Sequence, residues 1–203
     1  MPLPDRDTDL IQIVDASLAD AKRRAGEWLV CRPGCTQCCY GAFAINQLDV
    51  QRLRVGTEAL RKDQPERAAE VERRAQRWID EFGSDFPGDA ASGLLGETDA
   101  ERAAFEEFAN DAACPALDPA TGLCDVYDAR PMTCRVFGPP VQTGTEDGAP
   151  ALGHCELCFA GASAEQVAAC EMPVPSEIEE SIVDELARED LRGETVVAFA
   201  LLR

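Results

Sequence analysis

The cysteines are the feature that most constrains how this chain of 203 residues can fold, since it contains ten of them. Nine fall into three groups along the chain: Cys31, Cys35, Cys38 and Cys39, then Cys114, Cys124 and Cys134, then Cys155 and Cys158. Reduced thiols at this density need a binding partner, which is usually a metal ion or an iron–sulfur cluster. The pattern therefore predicts that the chain binds a metal.

The spacing within the groups supports thiolate ligands. Two cysteine pairs, Cys35 with Cys38 and Cys155 with Cys158, have the two-residue spacing found in zinc and cluster sites. Soft sulfur ligands suit zinc, copper(I) and iron–sulfur clusters. The neighbours Cys38 and Cys39 are hard to aim at one ion. This doublet favours two adjacent centres, or one cluster with an extra thiol, over a lone tetrahedral site.

Disulfide bonds and simple core packing are the alternatives to metal binding. Ten cysteines would permit five bridges in a secreted protein, but the neighbours Cys38 and Cys39 cannot easily bridge each other. The N-terminus has neither the basic start nor the apolar stretch of a secretory signal, so we predict a cytoplasmic location with reduced thiols rather than disulfides. Free cysteine is also a good small core residue, which suits Cys170. A core role does not explain four cysteines within nine positions.

The net charge of −19 limits the possible partners. Phosphate binding needs clustered cations, so nucleic acid is not expected, and an anionic membrane surface is a poor match. The chain has no run of 18 apolar residues that would predict a membrane span. The expected partner is the metal ion or cluster itself, and the question of a protein partner stays open.

The predicted fold is mainly α with short extended segments, in which an irregular cysteine-rich metal-binding core packs against helices. One domain over 1–203 is expected for this length. Its cysteine-cluster core comes from 31–45 and 112–160. Residues 46–111 form a helical insertion and residues 163–203 a helical C-terminal tail.

Local signals predict several elements and their boundaries. An apolar face of one helix is predicted before the first cysteine group, because apolar residues recur at three- and four-residue steps: Leu10, Val14, Leu18, Ala21, Ala25 and Trp28. Asp63 with Pro65 indicates a helix start capped by Asp63, and Thr98 with Glu101 forms a capping box. Turn residues between Cys114 and Cys124 predict a turn between two extended pieces. Residues 138–153 are rich in Gly, Pro and Thr and are predicted to form a loop. Residues 194–202 are nearly all apolar, and their pattern does not distinguish a strand from a helix.

Two arginines are candidate partners of the bound group. Four thiolates around one zinc ion or one oxidised [4Fe–4S] cluster leave a charge of about −2. Arg130 and Arg135 bracket Cys134, and their guanidinium groups can offset this charge. The alternative is that they pair with some of the 38 acidic side chains on the surface.

In two segments the chain resembles a known family. These are the first cysteine group and the stretch from Cys114 to Arg135, which includes Tyr127-x-x-Arg130-Pro-x-x-Cys134-Arg135. Together they resemble the bacterial CxxCxxCC (YkgJ-type) family of zinc- or iron-chelating cysteine-cluster proteins. The first gap has three residues where the family usually has two. The resemblance covers roughly residues 31–45 and 112–160, and it implies that the nine grouped cysteines are metal ligands.

The predicted function is therefore a metal-binding protein with a redox, sensing or metal-handling role. An iron–sulfur cluster, with [4Fe–4S] as one form, is favoured over Zn²⁺. One alternative is an enzyme related to the flagellin lysine N-methylase, although we find no glycine-rich turn that would hold S-adenosylmethionine. Others are a purely structural zinc protein and thiol redox chemistry at Cys155 and Cys158. His154, the only histidine, is expected near the site or on the surface.

Overall fold

The computed structural model describes residues 3–146 and 149–202. The α-helices follow in chain order: α1 (Asp5–Ala25), α2 (Gln47–Asp63), α3 (Pro65–Phe82), α4 (Asp99–Glu106), α5 (Met132–Val136), α6 (Ala164–Ala168), α7 (Ser176–Arg188) and α8 (Val197–Ala200). The strands are β1 (Gly88–Asp89), β2 (Leu94–Leu95), β3 (Leu117–Asp118), β4 (Leu123–Cys124), β5 (Val141–Glu146) and β6 (Ala149–Gly153).

The predicted fold class is confirmed. About 53% of the chain is helical, and the strands are short. Each strand pairs antiparallel with its neighbour in the chain, β1 with β2, β3 with β4 and β5 with β6. Within the part of the chain that the structure describes, no helix is long and apolar enough to cross a membrane.

The chain divides into two compact units. The first contains Leu3, Pro33–Pro131 and 183–202, and the second contains Pro4–Arg32 and Met132–Ile182. The boundary between Ile182 and Val183 lies within α7. The single domain expected from the chain length stays a prediction.

Helices form the core of the first unit. Leu53 of α2, Val71 of α3 and Ala200 of α8 are fully buried in one apolar cluster. Asn46 caps α2 because its side-chain oxygen accepts hydrogen bonds from the Leu48 and Asp49 amides, both at 3.0 Å. Cys114 and Cys124 pack against the same cluster. The predicted cysteine core therefore rests on helices in this unit.

Helix α1 is the longest helix of the second unit. Its buried stripe has the spacing that the sequence predicts, with Leu10, Val14, Ala21 and Ala25 inside. Arg24, near its end, donates to the carbonyls of residues 169 and 171, at 2.5 and 2.8 Å. These bonds attach α1 to the chain on both sides of residue 170.

Two local predictions are wrong. Asp63 does not cap α3, because it is the last residue of α2 and Gln64 takes the cap position. The loop predicted over residues 138–153 is largely the β5–β6 hairpin, although residues 147 and 148 lie outside the described part. Gly144 has φ of +146° at the register shift of this hairpin, so glycine here allows a bulge within a strand rather than ending it.

In the ambiguous C-terminal segment, an isolated β-bridge precedes a short helix. Thr195 pairs with Ile45 through two backbone hydrogen bonds of 2.8 and 3.0 Å, and α8 begins two residues later. The capping box at Thr98 and Glu101 is confirmed at the start of α4.

Gly56 in α2 provides space for the turn that precedes Arg130. A Cβ at Gly56 would lie 2.3 Å from the Ala129 Cβ. Gly56→Ala gains up to about 1 kcal/mol in helix propensity, but overpacking costs about 1–3 kcal/mol. We therefore expect the variant to lose stability in urea denaturation. Adding Ala129→Gly should recover part of the loss, and equal losses in the single and double variants would contradict a steric cause.

Candidate metal centre

Backbone pairing brings the first and second cysteine groups together in the first unit. The Cys114 amide donates to the Cys39 carbonyl at 2.7 Å, and the Gly41 amide donates to the Ala112 carbonyl at 2.9 Å. Tyr40 forms an antiparallel bridge with the residue before Cys114. Chain segments that are more than 70 residues apart in sequence thus place Cys39 beside Cys114.

The β3–β4 hairpin adds Cys124 to this pair. Leu117 pairs with Cys124 across the hairpin, and the Leu117 amide donates to the Cys114 carbonyl at 2.9 Å. The predicted turn between two extended pieces is confirmed. Cys114 and Cys124 are ten positions apart in sequence, and the hairpin brings their backbone segments next to each other. It therefore places two thiols close together, as a two-residue spacing does within one turn.

A short 3₁₀ turn, Gln37–Cys39, holds the cysteine doublet. The Cys39 amide donates to the Thr36 carbonyl at 2.8 Å. The Cys39 thiol donates a hydrogen bond to the Cys38 sulfur, which lowers the pKa of Cys38 to about 6 and raises the pKa of Cys39 well above its ordinary value. The two thiols of the doublet therefore hold one proton between them more readily than they lose both.

Cys38, Cys39, Cys114 and Cys124 form the four-thiol group. Burial raises the pKa of Cys114 to about 12, and it also raises the pKa of Cys124. The negative charges of Cys124 and Cys38 raise the pKa of Cys114 further, and those of Asp125 and Cys38 do so for Cys124. Ionisation of all four thiols therefore needs added positive charge. The donor set thus fits a thiophilic metal ion, whose charge favours deprotonated sulfur.

Arg130 supplies positive charge to this group. Its side chain is only 8% exposed, its Cζ lies 3.9 Å from the centre of the Tyr127 ring, and it donates to the Tyr127 carbonyl at 3.0 Å. Besides the hydrogen bond from Cys39, the Arg130 charge lowers the pKa of Cys38. Burial raises the pKa of Cys124, and the same charge opposes that rise.

A buried ion pair braces the hairpin, and no sequence pattern predicted it. The Asp125 side chain is 1% exposed and accepts hydrogen bonds from Arg67 and Arg74 of α3. Arg74 also donates to the Pro115 carbonyl at 2.8 Å. The sequence offers one signal for a role of Asp125 near the site, which is its position directly after Cys124. Its partners lie 51 and 58 positions away, so no local pattern reveals them.

An open depression of about 1050 Å³ lies beside the four-thiol group. Cys114, Tyr40, Arg74 and Trp78 are among the residues that line it. All four cysteines of the group are half-buried as residues, and Cys114 is the one that lines the depression.

A second set of thiols lies in the second unit. The sulfurs of Cys31 and Cys158 are 3.8 Å apart. The Cys158 amide donates to the Cys155 carbonyl at 2.8 Å, and the two thiols of this turn share a hydrogen bond. Burial raises the pKa of Cys155, and the neighbouring Cys158 raises it further. Cys31, Cys155 and Cys158 form the three-thiol group.

The remaining predicted residues have other surroundings. Cys35 is half-buried in a loop that touches the β3–β4 turn through Gly34 and Gly122. Cys134 is half-buried on α5 in the second unit. Arg135, 3% exposed, donates to both carboxylate oxygens of Asp15, at 2.7 and 3.0 Å.

His154 and Cys170 have the surroundings that the sequence suggests. His154 is exposed, and its ring lies 5.3 Å from that of Phe159. Cys170 is 5% exposed among apolar residues. Among the described residues, no three His, Cys, Asp or Glu side chains are already arranged to hold a metal ion. Metal binding therefore requires side chains of the thiol groups to reorient.

Comparison with protein families gives one match. Residues 30–156 match the CxxCxxCC family, described as a "putative zinc- or iron-chelating domain". The chain belongs to the CxxCxxCC family. No curated protein and no solved structure matches the chain.

The CxxCxxCC match covers the four-thiol group entirely but the three-thiol group only in part. Cys31 and Cys155 lie inside the matched residues, whereas Cys158 and Cys170 lie beyond them. The family resemblance found in the sequence is confirmed, and metal chelation is the property that the CxxCxxCC family supports.

Proposed function

We propose that the protein chelates zinc or iron through the four-thiol group. The observation that carries this proposal is the backbone pairing of Cys39 with Cys114 and of Leu117 with Cys124, which brings these thiols together within one compact unit. The direction in which the thiols shift one another's pKa agrees with it. A bound metal ion stabilises the deprotonated form of each sulfur, so chelation removes the repulsion that the sulfurs otherwise impose. The CxxCxxCC family match supports the same chemistry.

Although the sequence suggests that Cys38 and Cys39 are hard to aim at one ion, the hydrogen bond between their thiols brings the two sulfurs close together, which favours a single ion with tetrahedral coordination. Zinc–sulfur bonds of about 2.3 Å place tetrahedral sulfur ligands about 3.8 Å apart. This separation is within reach of two thiols that share a hydrogen bond, as Cys38 and Cys39 do. Fe²⁺ bound by four thiolates has a similar arrangement.

An iron–sulfur cluster is the second candidate, and a [4Fe–4S] cubane is one form of it. Each thiolate of a cubane binds a different iron, so the sulfurs stand farther apart than around a single ion. The observation that favours a cluster is Cys35, a further half-buried thiol three residues before Cys38. A cluster with four thiolate ligands can use Cys35 in place of one member of the doublet.

Metal handling is the proposed role. Cys114 of the four-thiol group lines an open depression, and we propose that a second chelator reaches a bound metal ion from this side. Structural zinc sites also have four protein ligands, so the depression is the feature that favours metal handling. The redox, sensing, structural-zinc and methyltransferase alternatives, the cytoplasmic location and a protein partner stay predictions.

Anaerobic purification followed by analysis of metal and sulfide tests the proposal. We expect zinc or iron in the folded protein and a loss of that metal in Cys38→Ser. Colourless protein with zinc identifies a single ion. Brown protein whose broad visible absorption bleaches on reduction identifies the cluster. The proposal is wrong if the folded protein, after reconstitution with both metals, keeps every thiol free.

Arg130 is proposed to stabilise the thiolates through its charge. Arg130→Met keeps most of the side-chain volume but removes the charge, so we expect metal affinity to fall about tenfold, since groups that support metal ligands contribute 10–100-fold. Arg130→Lys keeps the charge and should bind closer to wild type. Competition with a chromophoric chelator measures both variants. Equal affinities for wild type and Arg130→Met would show that the charge has no role.

A further inference from the structure

We infer that the three-thiol group forms a second metal centre, which takes a thiophilic divalent ion such as Zn²⁺. Its ligands are Cys31, Cys155 and Cys158, none of which belongs to the four-thiol group. The inference extends the proposed function to another part of the chain. It rests on contacts within the second unit alone.

The separation of the sulfurs is the first argument. Cys31 and Cys158 lie 3.8 Å apart, although 127 positions separate them in sequence. A disulfide has a sulfur–sulfur bond of about 2.05 Å, so these two thiols are not bonded. Sulfurs that share a tetrahedral zinc ion stand about 3.8 Å apart, as the zinc–sulfur bond length of about 2.3 Å requires. The observed separation therefore lets both thiols bind one ion with little movement of their sulfurs.

A third sulfur joins them through a tight turn. The Cys158 amide donates to the Cys155 carbonyl, and the two thiols share a hydrogen bond. The next amide, that of Phe159, donates to the Trp28 carbonyl at 2.9 Å. This bond ties the Cys155–Cys158 turn to the segment that leads from α1 into Cys31. The chain thus holds both parts of the three-thiol group by backbone hydrogen bonds, independently of any disulfide.

Gly138 completes this framework. Its carbonyl accepts a hydrogen bond from the Cys155 amide at 3.2 Å. A Cβ at this position would lie 3.0 Å from the Cys31 sulfur, and φ of +125° is a conformation that residues with a side chain rarely adopt. Because Gly138 has no side chain, its backbone can lie against the Cys31 sulfur while its carbonyl accepts the hydrogen bond from the Cys155 amide.

The surroundings suit a buried ion. Cys155 and Cys158 are 3% and 1% exposed, and Ala25, Leu29 and Phe159 belong to the same apolar cluster. An apolar shell keeps water away and strengthens the attraction between thiolates and a cation. Three thiolates leave one position of a tetrahedral ion. A water molecule is enough to complete the coordination, as in zinc sites with three protein ligands.

Counting metal ions in matched variants of the full-length protein tests the inference. The protein is reduced, loaded with Zn²⁺ alone under anaerobic conditions, desalted and analysed by mass spectrometry for zinc per chain. We expect two ions in wild type, one in Cys158→Ala, one in Cys38→Ala and none in the double variant. Cys170→Ala, which removes another buried thiol of the same apolar cluster, should keep two. Cys31→Ser, at a partly exposed position, repeats the test without changing a buried side chain.

The outcomes separate this inference from the proposed function. If wild type binds one ion, Cys38→Ala loses it, and Cys158→Ala and Cys31→Ser keep it, the second centre is wrong and the four-thiol centre is supported. One ion that is lost in every ligand variant shows a single shared centre and also overturns it. An ion that is lost only in the Cys158 and Cys31 variants supports the second centre and overturns the proposed function. A Cys31–Cys158 disulfide that forms in place of zinc binding overturns the second centre.

Discussion

Cys114→Ala is expected to abolish metal-dependent stabilisation of the first unit. Cys114 lies at the middle of the four-thiol group, with its backbone bonded to Cys39 and its hairpin carrying Cys124. A metal ion that binds only the folded state stabilises it by about 4 kcal/mol when the free ion exceeds the dissociation constant 1,000-fold. We expect this difference in urea denaturation between the metal-loaded and metal-free forms of Cys158→Ala, which lacks the second proposed centre. Little of it should remain when Cys114→Ala is added to that variant.

Cys170→Ala is the matched control for this experiment. It also removes a buried thiol, so it shares the loss of packing but not the loss of a proposed ligand. It should retain the full stabilisation by metal. If Cys114→Ala retains it as well, Cys114 does not bind the ion.

Asp125→Ala is expected to destabilise the protein by about 3 kcal/mol, because breaking a buried ion pair leaves an uncompensated charge. The Asp125 side chain is almost completely buried between two arginines, and Arg74 is itself mostly buried. The free energy of unfolding of the metal-free protein, measured in urea, reports this loss. Metal affinity should fall too, since the pair holds the hairpin that carries Cys114 and Cys124.

Asp111→Ala provides the comparison for this variant. Asp111 is an exposed acidic residue just before the same hairpin, and surface substitutions usually change stability by less than about 0.5 kcal/mol. Similar stabilities of Asp125→Ala and Asp111→Ala would mean that the ion pair does not brace the hairpin.

Local sequence patterns predicted a substantial part of this fold. The α1 stripe, the capping box at Thr98 and the turn between Cys114 and Cys124 each depend on residues close together in sequence. The family resemblance depends on cysteine spacing in the same way. Each of these signals was sufficient to predict its element, because helix periodicity, capping and turn formation depend on interactions between residues a few positions apart.

The contacts that organise the candidate site could not be predicted in this way. The sequence does not show that Cys38 and Cys39 belong with Cys114, whereas Cys31 approaches Cys158 instead. Nor does it show that Arg135 pairs with Asp15, 120 positions earlier. Such contacts arise from the packing of distant segments, so they become visible only in the folded chain.

X-ray absorption at the edge of the bound metal tests thiolate chelation most directly. The spectrum reports which atoms bind the ion and at what distance. For zinc, we predict a shell of sulfur alone, with four atoms at about 2.3 Å if Cys38, Cys39, Cys114 and Cys124 are the ligands. The measurement is made on Cys158→Ala, so that the first unit alone contributes. A shell of oxygen or nitrogen at about 2.0–2.2 Å would contradict thiolate chelation.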